Sequence, residues 1–176
     1  MLRFDSEDAF NSFLGQRKPK NRRNVKAKQP NVSPHARALA ALAKKPELRK
    51  GNIEHYEQVQ LFDFFERYHP EIYELLSAYP AGGMRSKKTA FAMQAEGQKK
   101  GYPDIILDMA KGTYHGARFE LKAKGGRASE AQLERRDILR KQGYYSDIFI
   151  GWESLKDAIL LYSKLADGAE LDLEKK

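Results

Sequence analysis

From Asn52 onward the apolar residues follow two rhythms in turn, one of about 3.6 residues and one of two. In "NIEHYEQVQLFDFFERYH" they fall at 53, 56, 59, 61, 62, 64, 65 and 68, a broad helical face that Pro70 ends. "PEIYELLSAYP" adds a further turn and then an extended piece near Ala78. After Gly82–Gly83, "SKKTAFAMQAEGQKKG" reads as an amphipathic helix interrupted near Gly97. "DIILDM" and "ARFELKA" read as strands, with "KGTYHG" as the hairpin loop between them. In "SEAQLERRDILRKQG" Ser129 and Gln132 stand at capping-box spacing and Gly143 closes the helix. "YSDIFI" is a short apolar strand. "ESLKDAILLYSKLADG" is a last helix with Leu155, Ile159, Tyr162 and Leu165 on one side. The order predicts an α/β fold, a mixed sheet flanked by helices.

Upstream the pattern changes. "GQRKPKNRRNVKAKQPNVSP", residues 15–34, is basic, broken by proline and nearly free of large apolar groups, so it reads as a flexible arm. "SPHARALAALAKK" then offers Ser33 as an N-cap and Pro34 at the first helical position of a short helix. These features divide the chain into a basic arm over 1–50 and one globular domain over 51–176, in keeping with its 176 residues. No cysteine is present, so disulfides and thiolate zinc sites are excluded. No apolar run approaches the ~20 residues of a membrane span, and acidic residues interrupt the first ten positions as no signal peptide tolerates. A soluble, cytoplasmic protein is the expectation.

Charge sharpens the picture. The net charge is +8, with 13 Lys/Arg against 4 Asp/Glu in residues 1–50 and 19 against 20 in the rest. Within that neutral remainder, Arg85 to Lys141 holds 14 basic and 7 acidic residues. A basic arm and a basic central surface point to a polyanionic partner, most commonly nucleic acid.

The candidate chemistry lies in "GYPDIILDMAKGTYHGARFELKAKGG". Strand alternation projects Glu120 and Lys122 from one face of "FELKA" while Leu121 points the other way. A hairpin brings Asp104, which opens the preceding strand, beside them. Two converging carboxylates repel each other unless a cation intervenes, and hard oxygen donors without His or Cys select Mg2+ or Mn2+. Lys122 is placed to orient an attacking water or to stabilise charge developing on phosphorus. Gly125 and Gly126 let a phosphate backbone come close. "QVQLFDFF" at 58–65 fits a clamp-binding peptide pattern, but Leu61, Phe62 and Phe65 are needed for the core; His115, alone in its loop, is left out of the site.

"YPAGGMRSK", "GYPDIIL", "GARFELKAKGGRASEAQ" and the closing "GYYSDIFIGWESLKDAILLY" resemble the virus-type replication-repair nuclease (VRR-NUC) domain of the PD-(D/E)XK superfamily, over roughly residues 52–165. The resemblance implies a restriction-endonuclease-like core in which Asp104, Glu120 and the Leu121 carbonyl hold the metal and Lys122 is the catalytic lysine. It implies an acidic residue from the first helix, matched by Glu57, with Glu54 one turn earlier as the other match. Gln132 corresponds to the family glutamine near the scissile phosphate, alongside its role as capping partner of Ser129. Arg85 corresponds to the arginine after the glycines; with Lys87, Lys88, Lys124, Gly125, Gly126 and Arg127 it is expected to contact DNA. The activity implied is a Mg2+- or Mn2+-dependent endonuclease leaving 5′-phosphates, acting on Holliday junctions (four-way junctions) as a homodimer like phage and bacterial members. A nuclease for flap or nicked DNA, and a non-catalytic DNA-binding protein with the same fold, are the alternatives.

Overall fold

β-Branched and aromatic residues build the sheet, and its order follows the chain. The computed structural model describes residues 32–79 and 87–173. Four strands, β1 (Leu76–Ala78), β2 (Ile105–Leu107), β3 (Ala117–Lys122) and β4 (Tyr145–Ile150), lie in the order β1-β2-β3-β4. β1 and β2 pair antiparallel, as do β2 and β3, with Ile105 opposite Phe119 and Leu107 opposite Ala117. β3 and β4 run parallel, which requires a crossover, here the helix Glu130–Lys141. The sheet is therefore mixed, as the alternation of rhythms predicts.

The helices are numbered in chain order: α1 (Pro34–Lys44), α2 (Ile53–Tyr68), α3 (Pro70–Tyr73), α4 (Lys87–Ala95), α5 (Glu130–Lys141) and α6 (Trp152–Ser163), with a 3-10 turn at Pro46–Arg49. Phe119 and Leu121 of β3 meet Leu61 and Phe65 of α2 and Leu155 and Ile159 of α6 in the core, all at most 2 % exposed. The apolar residues of the clamp-like segment are thus committed to the interior. On the opposite face of β3, where Arg118, Glu120 and Lys122 project, the covering element is α5. Its start has the full reciprocal cap: the Ser129 hydroxyl accepts from the Gln132 N–H, and the Ser129 N–H donates to the Gln132 side chain at 2.8 Å. Gly143, with φ of +78°, ends the helix.

The described residues from Ser33 onward form one compact unit. Helix α1 belongs to it: the Ser33 hydroxyl donates to Glu66, and His35 lies 3.0 Å from the Tyr73 hydroxyl. Most of the stretch 15–34, read from sequence as a flexible arm, lies outside the described residues. Among those described, no helix is long and apolar enough to cross a membrane.

Candidate active site

The period of two in β3 sends Phe119 and Leu121 into the core and leaves Glu120 and Lys122 side by side beneath α5. Glu120 is 3 % exposed and Lys122 12 %, and their Oε1 and Nζ atoms are 2.5 Å apart. The amide of Gln132, in the first turn of α5, donates to the same Glu120 oxygen. Gln132 closes the cap of its own helix through its oxygen and reaches Glu120 through its nitrogen. The other oxygen of Glu120, Oε2, is buried without a hydrogen-bond partner among the described residues.

Asp104 sits just before β2, where the antiparallel β2–β3 pairing delivers it to this end of β3. Its carboxyl lies beside that of Glu120 and close to the Leu121 N–H, near enough for both to bear on its ionisation. Two carboxyl groups so placed are compatible only if a proton or a cation lies between them. Burial raises the Asp104 pKa, with a further push from Glu54, against the hydrogen bonds and the Lys122 charge. Burial, and behind it the charge of Asp104, pushes Glu120 up to about 7 despite Lys122. For Lys122 burial acts downward, but it is outweighed by the hydrogen bond and charge of Glu120, then by Glu54 and Asp104, so its pKa rises.

Of the two glutamates on α2, Glu54 is the one that reaches the end of β3. Glu54 Oε1 accepts from the Ala123 N–H at 3.3 Å, and a Cβ at Gly126 would stand 3.5 Å from it. Both carboxylate oxygens of Glu57 are engaged elsewhere: Oε1 meets Arg49 Nη2 at 2.5 Å and Oε2 accepts from the Trp152 N–H at 2.9 Å, capping α6. The two glutamates are three residues apart on one helix face, and only the end of β3 and the start of α6 separate their fates.

Lys124, Gly125 and Arg127 are exposed in the turn between β3 and α5. Gly125 has φ of +85° and open space where a Cβ would be, so its conformation rather than crowding calls for glycine. Lys87 and Lys88 open α4. Arg85 lies outside the described residues. His115 packs on Gly143 at the far end of β3, its N–H bonded to the Gly143 carbonyl at 2.9 Å. Arg49, the partner of Glu57, carries no sequence signal of that role.

Among the described residues no three His, Cys, Asp or Glu side chains form a ready-made metal cage. Asp104 and Glu120 supply two hard carboxylates, one of them with an unpartnered buried oxygen. That donor set fits Mg2+ or Mn2+, which are held by one or two carboxylates and complete their shells with water and substrate phosphate.

No protein-family model matches the chain, and no curated protein does. A solved structure described as "VRR_NUC domain protein" superimposes with a TM-score of 0.59 at 30 % identity, covering 68 % of this chain and 96 % of that one.

Proposed function

Because the chain belongs to the VRR-NUC nuclease family, we propose that it is a divalent-metal-dependent DNA endonuclease whose centre is the Asp104–Glu120–Lys122 cluster. One observation carries this reading: the buried carboxyl of Glu120 and the half-buried one of Asp104 lie together beside a single lysine, with Glu120 Oε2 left without a donor. Lys122 balances one negative charge and not two, so the cluster is complementary to a further cation. Asp104 and Glu120 would hold Mg2+ or Mn2+, joined by the Leu121 carbonyl, because a strand residue presents its N–H and C=O to the same neighbour and the Leu121 N–H lies close to Asp104. The bound ion supplies positive charge against that developing on the scissile phosphate.

The chain's own groups do the rest. The Lys122 ammonium, fixed by Glu120, offers hydrogen-bond donors and positive charge to the attacked phosphate and the incoming water. Gln132 holds Glu120 in its rotamer, and α5 holds Gln132 through the cap. Gly125 leaves room for the DNA backbone, and Lys124 and Arg127 flank it with charge. Water adds to phosphorus, the bond to the 3′ oxygen breaks, that oxygen takes up a proton, and a 5′-phosphate is left. A homodimer cutting paired strands of a four-way junction is the substrate reading favoured by the family resemblance.

The deciding experiment incubates the protein with four-way junction, flap and linear duplex in Mg2+, Mn2+ or EDTA. Paired symmetric nicks in the junction support the proposal. Cutting of flaps alone moves the substrate to the alternative, and metal-insensitive binding without cleavage removes the enzyme.

Glu54 and Glu57 part in the same assay. Glu54→Gln is expected to slow cleavage about 10- to 100-fold, as loss of a supporting group around a metal does, with little change in melting. Glu57→Gln removes the charge of the ion pair to Arg49 and weakens the bond to the Trp152 N–H at the start of α6, and is expected to cost about 1 kcal/mol of stability with cleavage near wild type. Kinetics and thermal unfolding of both variants check this; the reverse pattern returns the role to Glu57.

Residues 1–31 carry eight Lys/Arg against three Asp/Glu, and we assign them to sequence-independent phosphate binding. Deleting them leaves the Ser33 cap intact. It is expected to weaken DNA binding most at low salt and to flatten the log K against log salt slope by about 0.9 for each phosphate that the arm neutralises. Binding titrations from low to high salt measure it, and an unchanged slope counts against the assignment.

A further inference from the structure

Just ahead of Asp104 lie side chains that the chemistry above leaves unused. Tyr102 stacks on Tyr79, with ring centroids 4.6 Å apart and planes 38° apart. Tyr79 is tied to the same point, since its N–H donates to the Asp104 carbonyl at 2.7 Å. Its hydroxyl accepts from the Lys99 N–H at 3.4 Å. Both rings are half-buried and stand outside the hydrophobic core, and Lys99 and Lys100 beside them are exposed. The segment is firmly seated. Gly101, at φ of +72°, is so close to α5 that a Cβ would lie 2.3 Å from the Ala131 carbonyl oxygen. Ala131 is followed by Gln132, the residue that holds Glu120. The tyrosine pair is therefore fixed relative to the cluster through one turn of one helix.

Aromatic rings flanked by lysines are the chemistry that receives unpaired nucleotides: the ring takes the base face and the ammonium takes the phosphate. A base inside continuous duplex has no free face to offer, whereas one displaced at a branch does. We infer that Tyr79 and Tyr102 form a stacking platform for an unpaired nucleobase next to the scissile phosphate, with Lys99 and Lys100 on the backbone of the same strand. The substrate class is then DNA with a nucleotide out of the duplex at the cut site, chosen by structure and not by sequence, because every base has a face to stack. This rests on the nuclease reading of the Asp104 cluster.

The test uses the full chain carrying Glu120→Gln, so that bound DNA stays intact, and oligonucleotides with 2-aminopurine at successive positions around a branch. Matched duplexes carry it fully paired. Binding is expected to quench the unpaired probe at one or two positions. Tyr102→Phe and Tyr102→Trp should keep the quench. Tyr102→Leu should lose it, with affinity for the branched DNA falling about 5- to 150-fold and the preference over duplex falling with it. Tyr79→Leu, judged by the same readout, keeps the test open if Tyr102→Leu does not fold. No quench at any position, or a quench that survives both leucine variants, overturns the platform. Cleavage of the same DNAs by wild type in Mg2+ or Mn2+ judges the nuclease separately. Stacking without cleavage leaves the platform and removes the enzyme; cleavage without stacking does the opposite.

Discussion

Glu120→Gln is expected to lower cleavage at least about a thousand-fold while leaving the fold and DNA binding in place. Glutamine keeps the shape of the side chain and one oxygen for Lys122 and Gln132, so packing under α5 is preserved. What it removes is the negative charge that, with Asp104, would make the cluster a cation site. Loss of a bound ion there would withdraw several kcal/mol of transition-state stabilisation, and about 4 kcal/mol corresponds to a thousand-fold. Asp104→Asn should behave in the same way. Lys122→Met should also silence the enzyme but differ in stability, because it leaves the buried carboxyl of Glu120 and its neighbour Asp104 without their cation. Single-turnover cleavage measured beside DNA-binding affinity separates these outcomes. Wild-type cleavage by Glu120→Gln under either metal would remove the cluster from the chemistry.

How far residues alone led to this cluster follows from the range of each interaction. The pairing of Glu120 with Lys122 needs only the period of two within one strand. The arrival of Asp104 needs only that "DIIL" and "ARFEL" form an antiparallel hairpin. Both are local, and both are found. The Ser129–Gln132 cap is likewise contained in four residues. The choice between Glu54 and Glu57 is of another kind. Helical spacing puts both on one side of α2, and the contacts that divide them come from Arg49, before the helix, and from Trp152, 95 residues on. No periodicity within α2 carries that information. The docking of α1 through Ser33 to Glu66 and His35 to Tyr73 is similar. A segment can be read as helical from its cap and apolar spacing, but what it lies against depends on side chains more than thirty positions away. The tyrosine pair shows the same limit, since Tyr79 and Tyr102 meet only once β1 is laid on β2.

The same pair of carboxyls should make the metal-free protein lose stability as pH rises toward neutrality. In the unfolded chain Glu120 gives up its proton near its ordinary 4.5, whereas in the fold burial and Asp104 hold it to about 7. Between those values the native state keeps a proton that the unfolded state has lost. Stability from this group is therefore greatest below about pH 4.5, declines up to about pH 7 and is flat beyond. The difference is worth about 3 kcal/mol. Asp104, also raised, acts in the same direction. The raised pKa of Lys122 has the same sign, but its loss of stability comes only in alkali above its ordinary 10.5, so its ion pair persists throughout this window. Denaturant unfolding in EDTA from pH 5 to pH 8 measures the decline. Other groups titrate too, and the contrast with Glu120→Gln isolates this one: the variant should show a flatter profile and be the more stable protein at pH 8. Adding Mg2+ or Mn2+ at pH 8 should raise wild-type stability toward its acid value, because an ion that binds only the folded state shifts the equilibrium by mass action, and should do little for the variant. Parallel pH profiles for the two proteins would mean that Glu120 ionises at its ordinary value and that no charge is stored at the end of β3.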